Sequence, residues 1–218
     1  MTAGRLLPVF PLGTVLVPGL VLPLHIFEPR YRRLVADLEA LPEDDREFVV
    51  VAIREGREVG ADGARALFDI GTVTTVREIE ALEDGRFDIV TVGARRVRLG
   101  DLDTSLPYLR ADVVDVPEEA GGDTEPLASA VAQRFIEYRS MFTDDDGSGL
   151  PDDARVLSYL VAAAIVIDLP GRQGLLESPT DVERLEAELA FLRREKALIS
   201  ALPSLPAVDL LRDEGSPN

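Results

Sequence analysis

Residues 6–35, LLPVFPLGTVLVPGLVLPLHIFEPRYRRLV, compress two short apolar strands and the start of a helix into one stretch, and the rest of the chain reads as what packs on them. Leu6 to Leu12 is apolar, but Pro8 and Pro11 each remove a ladder donor, so this strand is expected at an edge or cut by bulges. Gly13 and the Pro18-Gly19 pair mark turns. Val21 to Phe27 is almost wholly apolar and alternates poorly, the pattern of a strand buried on both faces. At Glu28-Pro29 the period changes. Pro29 suits the first helical position, and Leu34, Val35, Leu38 and Leu41 carry a helix to Pro42.

Downstream, Phe48 to Ile53 is a continuous β-branched run expected of a central strand, and Arg54 to Gly63 is a polar connection. Leu67 to Ile79 alternates across Gly71, where a bulge is expected, and Glu83-Asp84-Gly85 is a hairpin turn. Phe87 to Val92 returns and is broken at Gly93, after which Val97 to Leu102 and Leu109 to Val116 supply two more strands. Seven or so strands around a single helix imply a small closed or half-closed β-barrel. Pro117 to Pro126 is a Pro, Gly and acid-rich linker, and beyond it the period becomes helical. Leu127, Val131, Phe135, Tyr138 and Phe142 share one helix face, and Val156 to Leu169 is apolar all round, as in the buried centre of a bundle closed by Pro170-Gly171. Ser178 to Asp181 caps a last helix whose inward seam is Val182, Leu185, Leu189, Leu192 and Ile199, with Pro203 as its stop. The expected class is α+β. A β-barrel occupies residues 1–117, a linker 118–125, a helical bundle 126–203 and a polar tail 204–218.

Of 218 residues, 46% are apolar, ample for a packed core. Cysteine is absent, which excludes disulfides, thiolate metal sites and thiol nucleophiles. With 23 basic and 40 acidic residues the net charge is −17, which opposes any partner held through phosphates, so nucleic acid is disfavoured. The longest apolar run, Tyr159 to Ile167, falls well short of the roughly 20 residues of a membrane span, and Met1 to Arg5 leads straight into Pro-punctuated strands. The chain is therefore read as cytoplasmic, with no membrane partner. Lys196 is the only lysine, a bias attributed to base composition or salt adaptation rather than to bidentate recognition.

The run PLGTVLVPGLVLPLHIFEPRYRRLV, residues 11–35, resembles the opening signature of the N-terminal substrate-binding domain of Lon-type ATP-dependent proteases. The F-P-L, P-G, L-P-L and H-I-F-E-P-R-Y elements occur in that family's order. Gly71 to Val76 with Gly85 to Gly93, and Gln173 to Glu177 (QGLLE), are similar to the same family, so the resemblance covers about residues 6–203. It implies a barrel of the PUA-like kind and a polypeptide-binding role without catalysis or cofactor. The implied partners are unfolded polypeptides or a protease or chaperone, and a weak homo-oligomer is allowed. A complete protease of that family adds a GxxxxGK[ST] loop and a serine-lysine pair, and this sequence has neither. Two other classes are alternatives. PUA-like barrels elsewhere read RNA, against which stand the charge and the lack of interleaved basic and aromatic residues. An unrecognised hydrolase would need an activated nucleophile.

No catalytic, cofactor-binding or metal-binding residue is assigned. His25 lies between Leu24 and Ile26 and reads as a core or barrel-lining histidine with one hydrogen-bond partner, since no G-x-S-x-G elbow accompanies it. Lys196, amid Arg193, Arg194 and Glu195, reads as a surface lysine rather than as the partner of Ser200. Glu28, Arg30 and Tyr31 read as structural, tying the first helical turn to its neighbours. Asp144 to Gly149 resembles a calcium loop but has Ala154 or Arg155 where a glutamate ligand is required. The candidate polypeptide-binding residues are Leu16, Val17, Pro18 and Leu20. Their turn either presents an apolar tip to partners or folds back into the core, and turn chemistry leaves both open.

Overall fold

The computed structural model describes residues 5–56, 64–119, 121–142 and 149–201. Its elements run β1 (Arg5–Leu12), β2 (Val21–Ile26), α1 (Pro29–Glu39), a 3-10 turn (Glu43–Asp45), β3 (Glu47–Gly56), β4 (Ala64–Leu67), β5 (Ile70–Ala81), β6 (Phe87–Asp103) and β7 (Leu109–Asp115). Helices α2 (Glu125–Arg139), α3 (Ala154–Ala164), α4 (Leu169–Glu177) and α5 (Asp181–Ala201) follow. This is an α+β fold with five helices beside one largely antiparallel sheet. The pairing order β1-β7-β6-β5-β3 returns on itself, because β1 also pairs in parallel with β3, while β4 hangs on β3 and β2 on β6.

β1 is consequently an interior strand, not the expected edge. It pairs with β7 over Arg5 to Val9 and with β3 over Val9 to Leu12. N–H groups alternate sides along a strand, so Pro8 and Pro11 lack theirs on opposite sides. The staggered pairing makes this tolerable, since Pro8 precedes the β3 ladder and Pro11 follows the end of the β7 ladder. β2 departs from expectation in the other direction. Its one ladder partner among the described strands is β6, and Val21, Pro23 and His25 face outward while Ile26 is buried.

β3 matches its apolar run because both faces are covered. Phe48 and Val50 pack with Phe10, Tyr31 and Leu34, whereas Val49 and Val51 pack with Val9, Val73 and Val97. Gly71 is no bulge. A Cβ there would lie 2.7 Å from the Val50 carbonyl oxygen, so glycine serves close strand approach, and the register shifts of β5 on β6 fall between Val73 and Thr74 and between Val76 and Glu78. Gly93 does not end a strand either, because β6 runs unbroken from Phe87 to Asp103.

In the helical part, Ala128, Val131, Phe135 and Tyr138 form the inner face of α2. Phe142 lies beyond its end, exposed, with its ring 5.3 Å from that of Tyr138. The expected long apolar helix is two helices. α3 stops at Ala164, and Pro170, the expected terminator, instead opens α4 behind an Asp168 cap whose Oδ1 accepts from the Gly171 N–H at 2.9 Å. Thr180 caps α5 by accepting from Glu183 N–H. The helices share one apolar cluster with Val15, Val17, Ala52 and Ile70, so they pack on the sheet as well as on one another. Polar ties cross the same boundary. Buried Arg96 donates to the carbonyls of Leu176 (2.8 Å), Ser178 (2.5 Å) and Pro117 (3.2 Å), and Gln173 Nε2 donates to the Ile70 carbonyl at 2.9 Å. Among the described residues no helix is long and apolar enough to cross a membrane.

Candidate functional site

The turn at Pro18-Gly19 is built to be rigid. Pro18 presets its own φ, Gly19 takes φ +82, and Leu20 N–H closes the turn on the Val17 carbonyl at 3.3 Å. Gly93 stitches it to β6, accepting from Gly19 N–H at 2.8 Å and donating to the Leu20 carbonyl at 2.9 Å. Only glycine allows this approach, since a Cβ at Gly93 would meet the Val17 oxygen at 2.5 Å. Thr72 Oγ1 adds a 2.6 Å bond to the Leu16 carbonyl.

These bonds divide the four candidate residues. Leu16 is 2% exposed and packs with the α1 core, so it cannot meet a partner directly, whereas Val17, buried against the helices, forms part of the floor of an apolar groove. Pro18 is partly exposed and Leu20 37% exposed, and with Gly19 they form one lip of this groove, which has a volume of about 380 Å³. The opposite wall is α3, which contributes Val156, Tyr159, Leu160, Ala163 and Ala164. Val156 is 53% exposed. The α3 contribution was missed in the sequence because an all-round apolar helix reads as wholly buried. The surplus over what a core can cover was the available signal.

Tyr159, which lines the groove, is held from behind. Its hydroxyl donates to Glu118 Oε2 at 3.3 Å, and its ring lies 3.8 Å from the guanidinium carbon of Arg184. Arg184, fully buried on α5, donates to Ser158 Oγ at 2.8 Å and to Glu118, which also pairs with Arg155 at 3.2 Å. Burial raises the Tyr159 pKa, opposed by Arg184, so the phenol stays protonated. One turn further along α5, Glu188 is enclosed too, and burial pushes its carboxyl up to about 9 against the pull of Arg184. Sequence patterning missed Arg184 and Glu188 because charges beside a helical seam normally mark its solvated flank.

The signature residues lie elsewhere. His25 is exposed on the outer face of β2, correcting its expected place in the core, and has two partners, Asp88 Oδ1 at 2.6 Å and Arg86 at 3.0 Å. Glu28 precedes α1 and pairs with Arg30 at 3.0 Å; Arg30 covers the Tyr31 ring, which stacks on Phe10 at 4.1 Å. Lys196 reaches Glu137 at 2.8 Å and joins α5 to α2. Residues 144–148 of the aspartate-rich loop lie outside the described residues, as does the side chain of Ser200. No group of three His, Asp or Glu side chains among the described residues is placed to hold a metal ion.

A turn locked against a helix thus leaves an apolar groove on the surface of an α+β fold, with hydrogen-bonded and ion-paired groups behind it. Residues 6–194 match the substrate-binding domain of the ATP-dependent protease La (LON), and the chain belongs to that family. Lon protease 2 of Syntrophobacter fumaroxidans is 28% identical over 199 residues, and Lon protease 2 of Herpetosiphon aurantiacus 30% over 198; the alignments cover 88% and 87% of this chain. The chain spans only 24% of either protease. Among solved structures, the N-terminal domain of the Mycobacterium avium complex Lon protease superposes with a TM-score of 0.67 at 18% identity, covering 87% of this chain and 98% of that one. The Lon N-terminal domain protein from Xanthomonas campestris gives 0.60 at 21% identity, covering 91% and 99%.

Proposed function

We propose that this chain is a non-catalytic module that binds polypeptides, unfolded proteins or a protease or chaperone partner, in the cytoplasm, through the groove between the Pro18-Gly19 turn and α3. The observation that carries this reading is an apolar groove open to solvent and framed by a turn whose geometry Gly93 fixes. Membership of a substrate-binding family supports it. We read the closed strand pairing as a PUA-like β-barrel and keep the division into barrel (1–117), linker (118–125), bundle (126–203) and tail (204–218), the last outside the described residues. The binding energy available is modest. Burying one or two aliphatic side chains gives roughly 2–5 kcal/mol before ordering costs, which suits weak, promiscuous capture.

The test uses groove residues whose replacement spares the core. Val156→Asp puts a charge into an exposed position, and Ala164→Phe fills the groove from its exposed rim. Binding of a reduced, unfolded model protein should fall about tenfold or more in each variant, as expected for losing one aliphatic contact, with unchanged thermal melting. Unaltered binding by both variants would remove the groove from the site. Leu16→Asp has no value here, because Leu16 is core.

A further inference from the structure

We infer that the segment this groove accepts is an amphipathic helix with a basic polar face, not an extended strand. The inference rests on the proposed polypeptide-binding role of the groove. An extended segment brings a row of unpaired backbone groups that must find ladder partners. The lip has no N–H to offer them. Pro18 has none, Gly19 spends its own on the Gly93 carbonyl at 2.8 Å and Leu20 spends its own on the Val17 carbonyl at 3.3 Å. Across the groove the N–H groups of α3 are taken, that of Val156 by the Asp153 cap at 2.9 Å and those further along within the helix, and the Tyr159 hydroxyl is committed to Glu118. A helix, by contrast, satisfies its own backbone and needs only apolar contact.

The dimensions agree. From Val156 to Ala164 the wall is about 12 Å long at 1.5 Å per residue, the reach of apolar side chains at i, i+4 and i+7 of a facing helix. Charge selects the rest of the occupant. The molecule carries −17, with Asp152 and Asp153 immediately before the α3 wall and Asp168 beyond it. The cations at those ends are occupied, Arg155 by Glu118 at 3.2 Å and Arg172 by the Ile165 carbonyl at 2.8 Å. A lysine- or arginine-rich polar face is therefore attracted and an acidic one repelled.

Three peptides of about 15 residues separate the alternatives, a length at which an isolated helix is marginal and binding must induce it. All carry the same leucine stripe at i, i+4, i+7; one has lysines on its polar face, one glutamates, and one has the lysines plus a central proline. The lysine peptide should bind and gain helicity by circular dichroism, the proline peptide should bind about tenfold or more weakly because proline breaks the helix, and the glutamate peptide should be weakest, with the gap closing as salt rises. Val156→Asp should abolish the lysine peptide's binding. Equal binding of the proline peptide overturns the helical mode, and equal binding of the glutamate peptide overturns the charge selection. If all three fail while the unfolded model protein still binds in a Val156-dependent way, this inference falls and the proposed function stands. If the unfolded protein fails too, both fall.

Discussion

Glu188 sits one turn beyond Arg184 in a space with no exposure, and both its carboxyl oxygens lack hydrogen-bond partners among the described residues. Burial is the dominant cause of its raised pKa, about 9 against an ordinary 4.5, so it is a neutral acid near pH 7. The folded state keeps a proton that the unfolded chain releases. Its contribution is fully present below about pH 4.5 and is lost as pH rises toward 9. At pH 7 the loss is of order 3 kcal/mol. Glu188→Gln keeps the shape and cannot ionise. Its melting temperature should match the parent's near pH 5 and exceed it increasingly to pH 8.5, measured by calorimetry across that range. Parallel curves would mean that Glu188 ionises in the fold as freely as outside it.

α4 shows how far a local signal can be misassigned at the level of elements. Proline both stops and starts helices, and what distinguishes the two here is Asp168, two residues before Pro170, whose carboxylate takes the Gly171 N–H. The same residues were legible as breakers but not as a boundary between helices. β1 and β6 fail the reading for a different reason. Whether a proline is tolerated, or a glycine breaks a strand, depends on where neighbouring strands begin and end, and single-sequence periodicity carries no register. By contrast α1, β3, β7 and the α5 seam through Leu185, Leu189 and Leu192 were readable, because each has a simple period and a near-uniform environment. Half of the groove was legible in Pro18 and Leu20; the half on α3 required the tertiary pairing. If the Asp168 cap is what starts α4, Asp168→Ala should cost about 1 kcal/mol and lower the melting temperature by a few degrees, while Asp168→Asn should recover most of it. Equal melts for all three proteins would place the stop elsewhere.

The molecule divides by element type at residues 117–126, and of the three apolar clusters among the described residues two lie before that junction while the third crosses it. Arg96 of β6 holds three carbonyls around that junction, Glu119 bridges to Thr180, and a Cβ on Gly121 would lie 2.6 Å from Val182. Val15, Val17, Ala52 and Ile70 lie in the same cluster as Val131, Phe135, Val161 and Leu185, so removing the sheet half would strip the helices of one side of their packing. The three larger aliphatic side chains are worth about 1.5–3 kcal/mol each, together roughly 5–9 kcal/mol, a loss comparable with the 5–15 kcal/mol margin of an ordinary domain. The composition of 117–126 still makes it the expected first site of limited proteolysis. Cutting there should therefore nick the protein without dividing it. The two fragments should co-elute from a sizing column in native buffer, separate only in denaturant, and melt together in one transition, while residues 121–201 expressed alone should show no cooperative melt. Fragments that part in native buffer, with the helical one retaining a sigmoidal melt, would show two independent folding units and would also undo the groove, since its lips belong to opposite sides of the cut.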